Sequence, residues 1–189
     1  MPPTQTLNKA ERVLKEIEDR ASKEFLPIVG PHKGEILAEE VSKAKPMNVL
    51  EVGTLIVYSA ILIGKKLAAK ARFVSIEQHL DETEFAEENI RRSEIPPQIQ
   101  VITGDAIEVI PSLEGCFEFA FIDAEKSEYY QYLRLAEDKL VKGAIIVADN
   151  AGIFADEMKD YLDYVRNSGK YRSRYVGIGE DGLEISVKL

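Results

Sequence analysis

The sequence has few of the residues that build disulfides, thiolate metal sites and membrane spans. Its 189 residues include one cysteine, two histidines and no tryptophan. The single cysteine, Cys116, excludes an internal disulfide and a cysteine-based zinc cluster, and favours a reducing compartment. The longest apolar run, residues 55–64, is interrupted by Tyr58 and Ser59 and falls short of the roughly 20 residues that a membrane span needs. The first residues lack a basic stretch followed by an apolar one, so we expect no signal peptide and a cytoplasmic protein.

The chain is also short of positive charge. Acidic residues outnumber basic ones by 33 to 24, which gives a formal net charge of −9. This balance argues against broad binding to nucleic acid or to an anionic membrane. One dense basic stretch consists of Arg166, Lys170, Arg172 and Arg174. We interpret it as solvated surface, with an RNA or acidic-acceptor patch as the alternative.

The composition, 45% hydrophobic and 30% charged residues, is that of a folded globular protein, and the length predicts one domain. Helical spacing of apolar residues predicts two N-terminal helices, Leu7–Phe25 and Lys33–Ala44, the second ending before Pro46. Five strands, each followed by helical sequence, are predicted at Asn48–Val52, Arg72–Glu77, Ile99–Thr103, Phe117–Asp123 and Ala144–Asp149. Apolar strands that alternate with helices indicate a doubly wound α/β fold with a parallel sheet covered on both faces.

Three details refine this prediction. The helix after the first strand is expected to run to about Ala69. The helix after the second strand is expected to begin with a capping box of Asp81 and Glu84 and to end near Arg92. At the C-terminus, Tyr171–Ile178 and Leu183–Lys188 predict an antiparallel hairpin at the edge of the sheet.

Carboxylates follow four of the five predicted strands, at or just after the point where each strand ends. Ligands of such sheets bind at the carboxyl ends of the strands. Helix N-capping explains individual members of this set, because Asp and Asn suit that position, but it does not explain the whole set. The strand ends therefore predict a binding site.

Glu77 ends the second strand, where an acidic side chain can accept both hydroxyls of a ribose and so select an adenosine cofactor. Nicotinamide dinucleotides use the same device, but they also need a Gly-x-Gly-x-x-Gly turn that approaches a pyrophosphate. The turn here, Gly53–Val57, has a single glycine. A cofactor without phosphates, such as S-adenosylmethionine, therefore fits better than NAD.

Asp123, Asp149 and Asn150 follow the fourth and fifth strands, which we expect to be neighbours about 4.8 Å apart. Two carboxylates and an amide oxygen form an all-oxygen site suited to Mg²⁺, Ca²⁺ or Mn²⁺. The alternative is that Asp149 and Asn150 cap the following helix. Lys126, three residues after Asp123, is either a surface lysine or a general base, because a nearby cation disfavours its charged form.

These residues, together with several other segments, resemble the metal-dependent catechol and caffeoyl-CoA type O-methyltransferases. The resemblance runs from about Ile28 to Lys188. It rests on the segments Val29–Leu37, Leu50–Thr54, Tyr58–Ala60, Ser75–Glu77, Gly104–Ala106, Phe121–Lys126 with Tyr129, Asp149–Asn150 and Asp181–Leu183. Single segments are weak signals, but all of them in this order are a strong one.

The resemblance implies a Rossmann-like class I methyltransferase fold with a seven-stranded sheet. Residues 1–45 would form helices that cover the cofactor site, and residues 46–189 would form the α/β core of the same domain. The cofactor would be S-adenosylmethionine, and the acceptor a hydroxyl of a small aromatic molecule. The residues implied to contact the cofactor are Val29, Glu51, Gly53, Thr54, Ser59, Glu77, Gln78, Asp105, Ala106 and Asp123.

The same resemblance assigns roles to some of these positions. Glu77 would bind the ribose, Ser59 would lie near the methionine carboxylate, and Asp105 and Ala106 would border the adenine. Asp123, Asp149 and Asn150 would hold the divalent cation. Lys126 would be the catalytic base, with Asp123 beside it.

Three departures from the family pattern leave alternatives open. Val57 stands where the family usually has glycine, and a β-branched residue resists positive φ. We therefore expect weaker cofactor binding than in a Val57→Gly variant. The stretch after Asn150 is expected to run quickly into a helix, where relatives have a longer acceptor loop, and no tryptophan is present to wall an aromatic acceptor.

The alternatives are a tRNA hydroxyuridine O-methyltransferase and a catalytically weakened cofactor-binding protein. We also expect a homodimer, because the N-terminal helix and the edge hairpin both offer surfaces for one.

Overall fold

Segments rich in Val, Ile and Phe pair with one another as the strands of one sheet. The computed structural model describes residues 7–189. Within that range, the helices are α1 (Lys9–Ala21), α2 (Gly30–Ala44), α3 (Tyr58–Gly64), α4 (Leu80–Ser93), α5 (Ala106–Ser112), α6 (Tyr129–Ala136) and α7 (Lys159–Asn167). The strands are β1 (Asn48–Val52), β2 (Arg72–Glu77), β3 (Gln98–Thr103), β4 (Phe117–Ile122), β5 (Leu140–Ala148), β6 (Tyr171–Ile178) and β7 (Asp181–Lys188).

The seven strands of the described residues are ordered β3-β2-β1-β4-β5-β7-β6. Strands β1 to β5 are parallel, whereas β7 is antiparallel to both β5 and β6. The predicted doubly wound, mostly parallel sheet with an antiparallel edge hairpin is therefore confirmed. The strand order reverses between β1 and β4, so the carboxyl ends of these two strands border the crevice where ligands of such folds bind.

Strand β4 shows how the sheet separates two apolar layers. Its Phe119 and Phe121 pack with the layer that contains α1 to α4, whereas Ala120 and Ile122 pack with the layer of α5 to α7. This alternation is the two-residue period of a strand. Because both faces are covered, all four side chains are buried.

The N-terminal helix is shorter than predicted. Helix α1 ends at Ala21, and Phe25 lies beyond it with 93% of its surface exposed. Asn8 and Glu11 form a capping box at its start, a signal that the sequence contains. Helix α2 begins at Gly30 rather than Lys33, because Pro31 suits the first turn of a helix.

Other element boundaries also differ from the prediction. The predicted capping box of Asp81 is wrong: α4 begins at Leu80, and the carboxylate of Glu77 accepts the N–H of His79 just before it. Helix α3 ends at Gly64 instead of near Ala69. Strand β5 is longer than predicted and begins at Leu140. Among the described helices, none has the length and apolar sequence that crossing a membrane requires.

The apolar face of α1 is buried within the chain itself and consists of Ala10, Val13, Leu14 and Ile17. We expect Leu14→Ala to lower the free energy of unfolding by about 2–5 kcal/mol, the usual cost of truncating a buried leucine. Urea unfolding measures this change, and exposed Lys23→Ala is the control, expected within about 0.5 kcal/mol of wild type. The loss should not depend on protein concentration. A concentration-dependent loss would instead place Leu14 in an interface between copies.

Candidate active site

The turns after the five parallel strands enclose a cleft of about 580 Å³ at the carboxyl edge of the sheet. This volume is in the range of small-molecule sites. Most of the predicted site residues line it: Gly53, Glu77, Gln78, Asp105, Ala106, Asp123, Lys126, Asp149 and Asn150. A small adjoining cavity shares Gly53 and Asp123 with the cleft, and Val29, Thr54 and Ser59 line this annex. The predicted residue Glu51 lines neither cavity.

Gly53 brings the ends of β1 and β4 together. Its φ is +96°, and a Cβ at this position would lie 2.1 Å from the backbone oxygen of Asp123. The N–H of Gly53 donates to Ile76 O over 3.0 Å, and the N–H of Asp123 donates to Val52 O over 2.9 Å. Any side chain at position 53 would therefore force the two strand ends apart.

Glu51 is fully buried behind this turn rather than exposed to the cleft. Ser59 Oγ donates to one carboxyl oxygen over 2.6 Å and Ser75 Oγ to the other over 2.5 Å, and Thr54 Oγ1 is hydrogen-bonded to Ser75. Burial raises the pKa of Glu51 to about 8, although the two serine donors oppose the shift. The structure thus makes Glu51 a support for Ser59 and Thr54, whereas the sequence suggested direct contact with a cofactor.

The raised pKa of Glu51 predicts a pH-dependent stability. The folded state holds the proton between the ordinary pKa of 4.5 and about 8, so the free energy of unfolding falls as pH rises through that window. Glu51→Gln removes this titration. Urea unfolding should show wild type losing on the order of 3 kcal/mol relative to Glu51→Gln between about pH 5 and pH 8. Exposed Glu114→Gln is the control and should follow wild type; if Glu51→Gln did so too, the prediction would be wrong.

Val57 precedes α3 in a left-handed conformation, with φ +77° and ψ 14°, and its side chain is fully buried. Val57 therefore adopts the positive φ that a β-branched residue resists. Leu55, in the same turn, is also left-handed, with φ 48°. For a residue with a Cβ, this conformation costs roughly 1–2 kcal/mol. The effect of Val57 on cofactor affinity stays a prediction.

Comparing Val57→Gly with Val57→Ala isolates this strain. Both variants lose the buried γ carbons, but only glycine relieves the left-handed strain. Glycine also lowers the free energy of unfolding by about 0.4–1 kcal/mol, because it gives the unfolded chain more conformational entropy than alanine does. We expect Val57→Gly to be more stable than Val57→Ala by up to about 1 kcal/mol in urea unfolding. In the buried strand residue Val49, the control position, alanine should be the more stable of the two. The same order at both positions would contradict the assignment of strain.

Glu77 and Asp105 hold the turns after β2 and β3. The carboxylate of Glu77 accepts the N–H of Leu55 over 2.7 Å and of His79 over 3.0 Å, which ties the β1 and β2 turns together. Asp105 caps α5 by accepting the N–H of Ile107 over 2.8 Å. Capping thus explains Asp105, whereas Glu77 caps no helix of its own and is 6% exposed at the cleft.

Lys126 lies at the β4 end of the cleft. Its Nζ donates to Asp123 Oδ1 over 2.9 Å and to the hydroxyl oxygen of Tyr129 over 3.0 Å. The side chain is 17% exposed, so it is not the freely solvated surface lysine of the alternative interpretation. Tyr129 is fully buried, and although its position belongs to the motif that carries the resemblance, no role was assigned to it from the sequence.

Asp149 and Asn150 do not cap a helix. Consecutive turns follow them, and α7 begins only at Lys159, so the expectation of a rapid entry into a helix is wrong. Asp149 Oδ1 instead contacts the Nζ of Lys33 at 2.5 Å and accepts the N–H of Asn150 over 2.7 Å. Burial and the nearby Asp123 raise the pKa of Asp149, and Lys33 opposes that rise.

Asp181, at the start of β7, joins this cluster. One of its carboxylate oxygens accepts from the Nζ of Lys33 and from the Nδ2 of Asn150, each over 2.8 Å. Burial works to raise the pKa of Asp181, but Lys33 and several N–H donors lower it to about 2. Burial likewise works to lower the pKa of Lys33, and Asp149 with Asp181 raises it above its ordinary value. No local pattern in the sequence connects positions 33, 149 and 181.

The donors of the predicted cation site are compatible with a divalent ion. Residues 7–189 contain no group of three or more Asp, Glu, His or Cys side chains arranged for a metal, so two carboxylates and one amide are what this site offers. Within these residues, no hydrogen bond or ion pair engages Asp123 Oδ2, Asp149 Oδ2 or Asn150 Oδ1. Each predicted ligand lines the cleft and therefore keeps one unengaged oxygen, of the type that Mg²⁺ prefers.

The mouth of the cleft is apolar. Phe25, Ile153 and Phe154 line it, and Phe25 and Ile153 are 93% and 55% exposed. Sequence reasoning missed Phe25 because helical spacing placed it in α1. The chain has no tryptophan. These three side chains therefore offer the apolar wall that a tryptophan could otherwise provide for an aromatic acceptor.

The basic stretch is largely neutralised by carboxylates. Arg166 forms a bidentate pair with Glu184, at 2.9 and 2.7 Å. Arg174 pairs with Glu40 at 2.9 Å, and Lys170 pairs with Glu137 at 3.0 Å. All three carboxylates are buried. Arg166 joins α7 to β7, Arg174 joins β6 to α2, and Lys170 joins the segment before β6 to the segment after α6, so these three cations are paired with carboxylates.

Comparison with known proteins gives first the class of fold and then the protein family. An O-methyltransferase from Bacillus cereus, solved in complex with SAH, superposes with a TM-score of 0.84 at 21% identity, covering 99% of this chain and 94% of that one. A methyltransferase-type doubly wound sheet is therefore the class of fold. A family model described as O-methyltransferase matches residues 5–164. The chain belongs to this O-methyltransferase family.

Named relatives are consistent with this membership. The chain is 34% identical to catechol O-methyltransferase B of Danio rerio, over 88% of this chain and 67% of the relative. It is 35% identical to a catechol O-methyltransferase of Niastella koreensis, over 65% of this chain and 57% of the relative. The matched region thus spans about three fifths to two thirds of these relatives.

Proposed function

We propose that this protein transfers a methyl group from S-adenosylmethionine to a hydroxyl of a small aromatic molecule with vicinal hydroxyls, assisted by a divalent cation. The observation that carries the proposal is that Lys126, Asp123, Asp149 and Asn150 border the same cleft as Glu77. The names of the Danio rerio and Niastella koreensis relatives support the catechol-like acceptor. An O-methyltransferase of Streptomyces achromogenes solved with SAM, with a TM-score of 0.85, supports the cofactor.

The residues that would hold the cofactor lie at the strand ends. Glu77 would accept hydrogen bonds from the ribose hydroxyls, and the N–H groups of Leu55 and His79 hold its carboxylate in place for that contact. Asp105 and Ala106 border the adenine, and the annex lined by Val29 and Ser59 takes the methionine end. A turn with one glycine suffices, because no pyrophosphate has to approach the backbone.

The acceptor hydroxyl has an ordinary pKa of about 10 and must lose its proton to become a nucleophile. A divalent cation, when bound, favours that deprotonation by stabilising the phenolate charge. In its neutral form, Lys126 would take the proton on the lone pair of Nζ, and Asp123, 2.9 Å away, would stabilise the resulting ammonium. The phenolate oxygen then forms a bond to the methyl carbon as the bond from that carbon to sulfur breaks, which leaves a methyl ether and the thioether product.

The cleft mouth supports an aromatic acceptor. Phe25, Ile153 and Phe154 offer an apolar wall in the same cleft that Lys126 lines. Aromatic rings pack on such walls with offset or edge-to-face geometry. The two vicinal hydroxyls would then face the free oxygens of Asp123, Asp149 and Asn150.

The other functional alternatives have less support. Ion pairs engage Arg166, Lys170 and Arg174, so no specific observation favours a tRNA acceptor. A weakened cofactor-binding protein would not need Lys126 held at hydrogen-bond distance from Asp123. The homodimer stays a prediction. Of the two surfaces expected to form it, the apolar face of α1 is buried within the chain, which leaves the edge hairpin. A cytoplasmic location also stays a prediction.

Methyl transfer from labelled S-adenosylmethionine tests the function directly. We expect transfer to catechols, its loss with a chelator and its recovery with Mg²⁺. Lys126→Gln should lower kcat by roughly 10²–10⁴-fold, the usual contribution of a general base, with little change in the affinity for S-adenosylmethionine. Exposed Lys66→Gln is the matched control and should retain wild-type activity.

The other outcomes separate the alternatives. Activity that survives both the chelator and Asp149→Ala would remove cation assistance from the proposal but leave methyl transfer. Activity on hydroxylated tRNA, with none on catechols, would replace the acceptor. Binding of S-adenosylmethionine with no transfer to any acceptor would favour the cofactor-binding alternative.

A further inference from the structure

Lys33 places a positive charge against the proposed cation site. Its ammonium lies 2.5 Å from Asp149 Oδ1 and 2.8 Å from Asp181 Oδ2. The side chains are well shielded from solvent, with exposed fractions of 14% for Lys33, 2% for Asp149 and 16% for Asp181. Solvent therefore screens this ion pair much less than it would a surface pair.

Lys33 and a divalent cation would use the same carboxylate. Asp149 Oδ1 is engaged by Lys33 and by the N–H of Asn150, which leaves Oδ2 for another ligand. A cation on Oδ2 would lie within a few ångströms of the ammonium and be repelled by it. As a result, Lys33 both balances the charge of Asp149 and opposes a second cation there.

Asp181 acts on the other proposed ligand. Its Oδ2 accepts from the Nδ2 of Asn150 over 2.8 Å, and its Oδ1 accepts the N–H groups of Gly152 and Ile153 over 3.2 and 3.3 Å. Because the amide nitrogen of Asn150 is engaged, its carbonyl oxygen is the end left free. Asn150 is also held in the left-handed region, with φ 61°. Asp181 thus fixes both the orientation of this amide and the turn that follows it.

We propose that Lys33 is a resident counter-ion that balances Asp149 and weakens divalent-cation binding, whereas Asp181 is a positioning residue that presents the Asn150 oxygen. The inference rests on the cation site of the proposed function. It assigns opposite effects to the two partners of one ion pair: loss of Lys33 strengthens cation binding, and loss of Asp181 weakens it. A purely structural pair would weaken binding when either partner is lost.

The test measures Mn²⁺ binding to the protein in the absence of acceptor. Electron paramagnetic resonance detects the Mn²⁺ that stays free, and calorimetry measures the affinity independently. We expect Lys33→Met to bind Mn²⁺ roughly tenfold more tightly than wild type. Lys33→Arg, which keeps the charge, should stay near wild type, and Asp181→Asn should bind several-fold more weakly. Lys33→Gln is a second neutral variant and should change affinity in the same direction as Lys33→Met. Thermal melting monitors folding of each protein.

Each outcome decides the inference. If wild type binds Mn²⁺ and the neutral variants bind equally or more weakly, the counter-ion role is overturned and the proposed cation site survives. If only the neutral variants bind, the counter-ion role is supported and cation assistance in the wild-type protein is lost. If none binds, both ideas fail. If neither neutral variant folds, Lys33 is a structural tie and the inference is overturned.

Discussion

The close approach of β1 and β4 at their carboxyl ends determines where the rest of the site lies. Gly53 packs so tightly on the backbone oxygen of Asp123 that no Cβ fits between them. The turn after β1 therefore lies close to the end of β4. Two residues of this turn, Leu55 and Val57, have left-handed backbone conformations. That turn reaches Glu77 through the N–H of Leu55, while Asp123 presents its carboxylate to the cleft. The proposed cofactor site and the proposed acid–base site therefore share one wall.

Three carboxyl groups near this wall, two of them buried and one partly buried, are accommodated in different ways. Glu51 has only hydroxyl donors and is fully buried, so its pKa rises and it is held neutral at pH 7 as a structural hydrogen-bonding group. Asp181 receives an ammonium and several N–H groups, and its pKa falls to about 2. Asp149 lies between these extremes, because burial raises its pKa while Lys33 stabilises its charge.

The sequence predicted the sheet well because its signals are local. Runs such as Asn48–Val52 and Arg72–Glu77 have the composition of buried strands, and the structure has these strands with the same bounds. Helix ends were predicted less well, since tertiary contacts decide them: Glu77, and not Asp81, satisfies a donor before α4. Phe25 was misplaced because helical spacing alone does not reveal that α1 stops at Ala21.

Site residues were predictable where they follow a strand, and not where they depend on distant segments. The positions of Asp123 and Asp149 come directly from the parallel order of β4 and β5. Lys33 and Asp181 are 148 residues apart and meet only because β7 inserts antiparallel beside β5 while α2 packs over the same edge. Asn150 has a left-handed backbone, which Asn tolerates, and Asp181 holds its amide and the following turn. The geometry of the proposed cation ligands therefore depends on both ends of the chain and not on β5 alone.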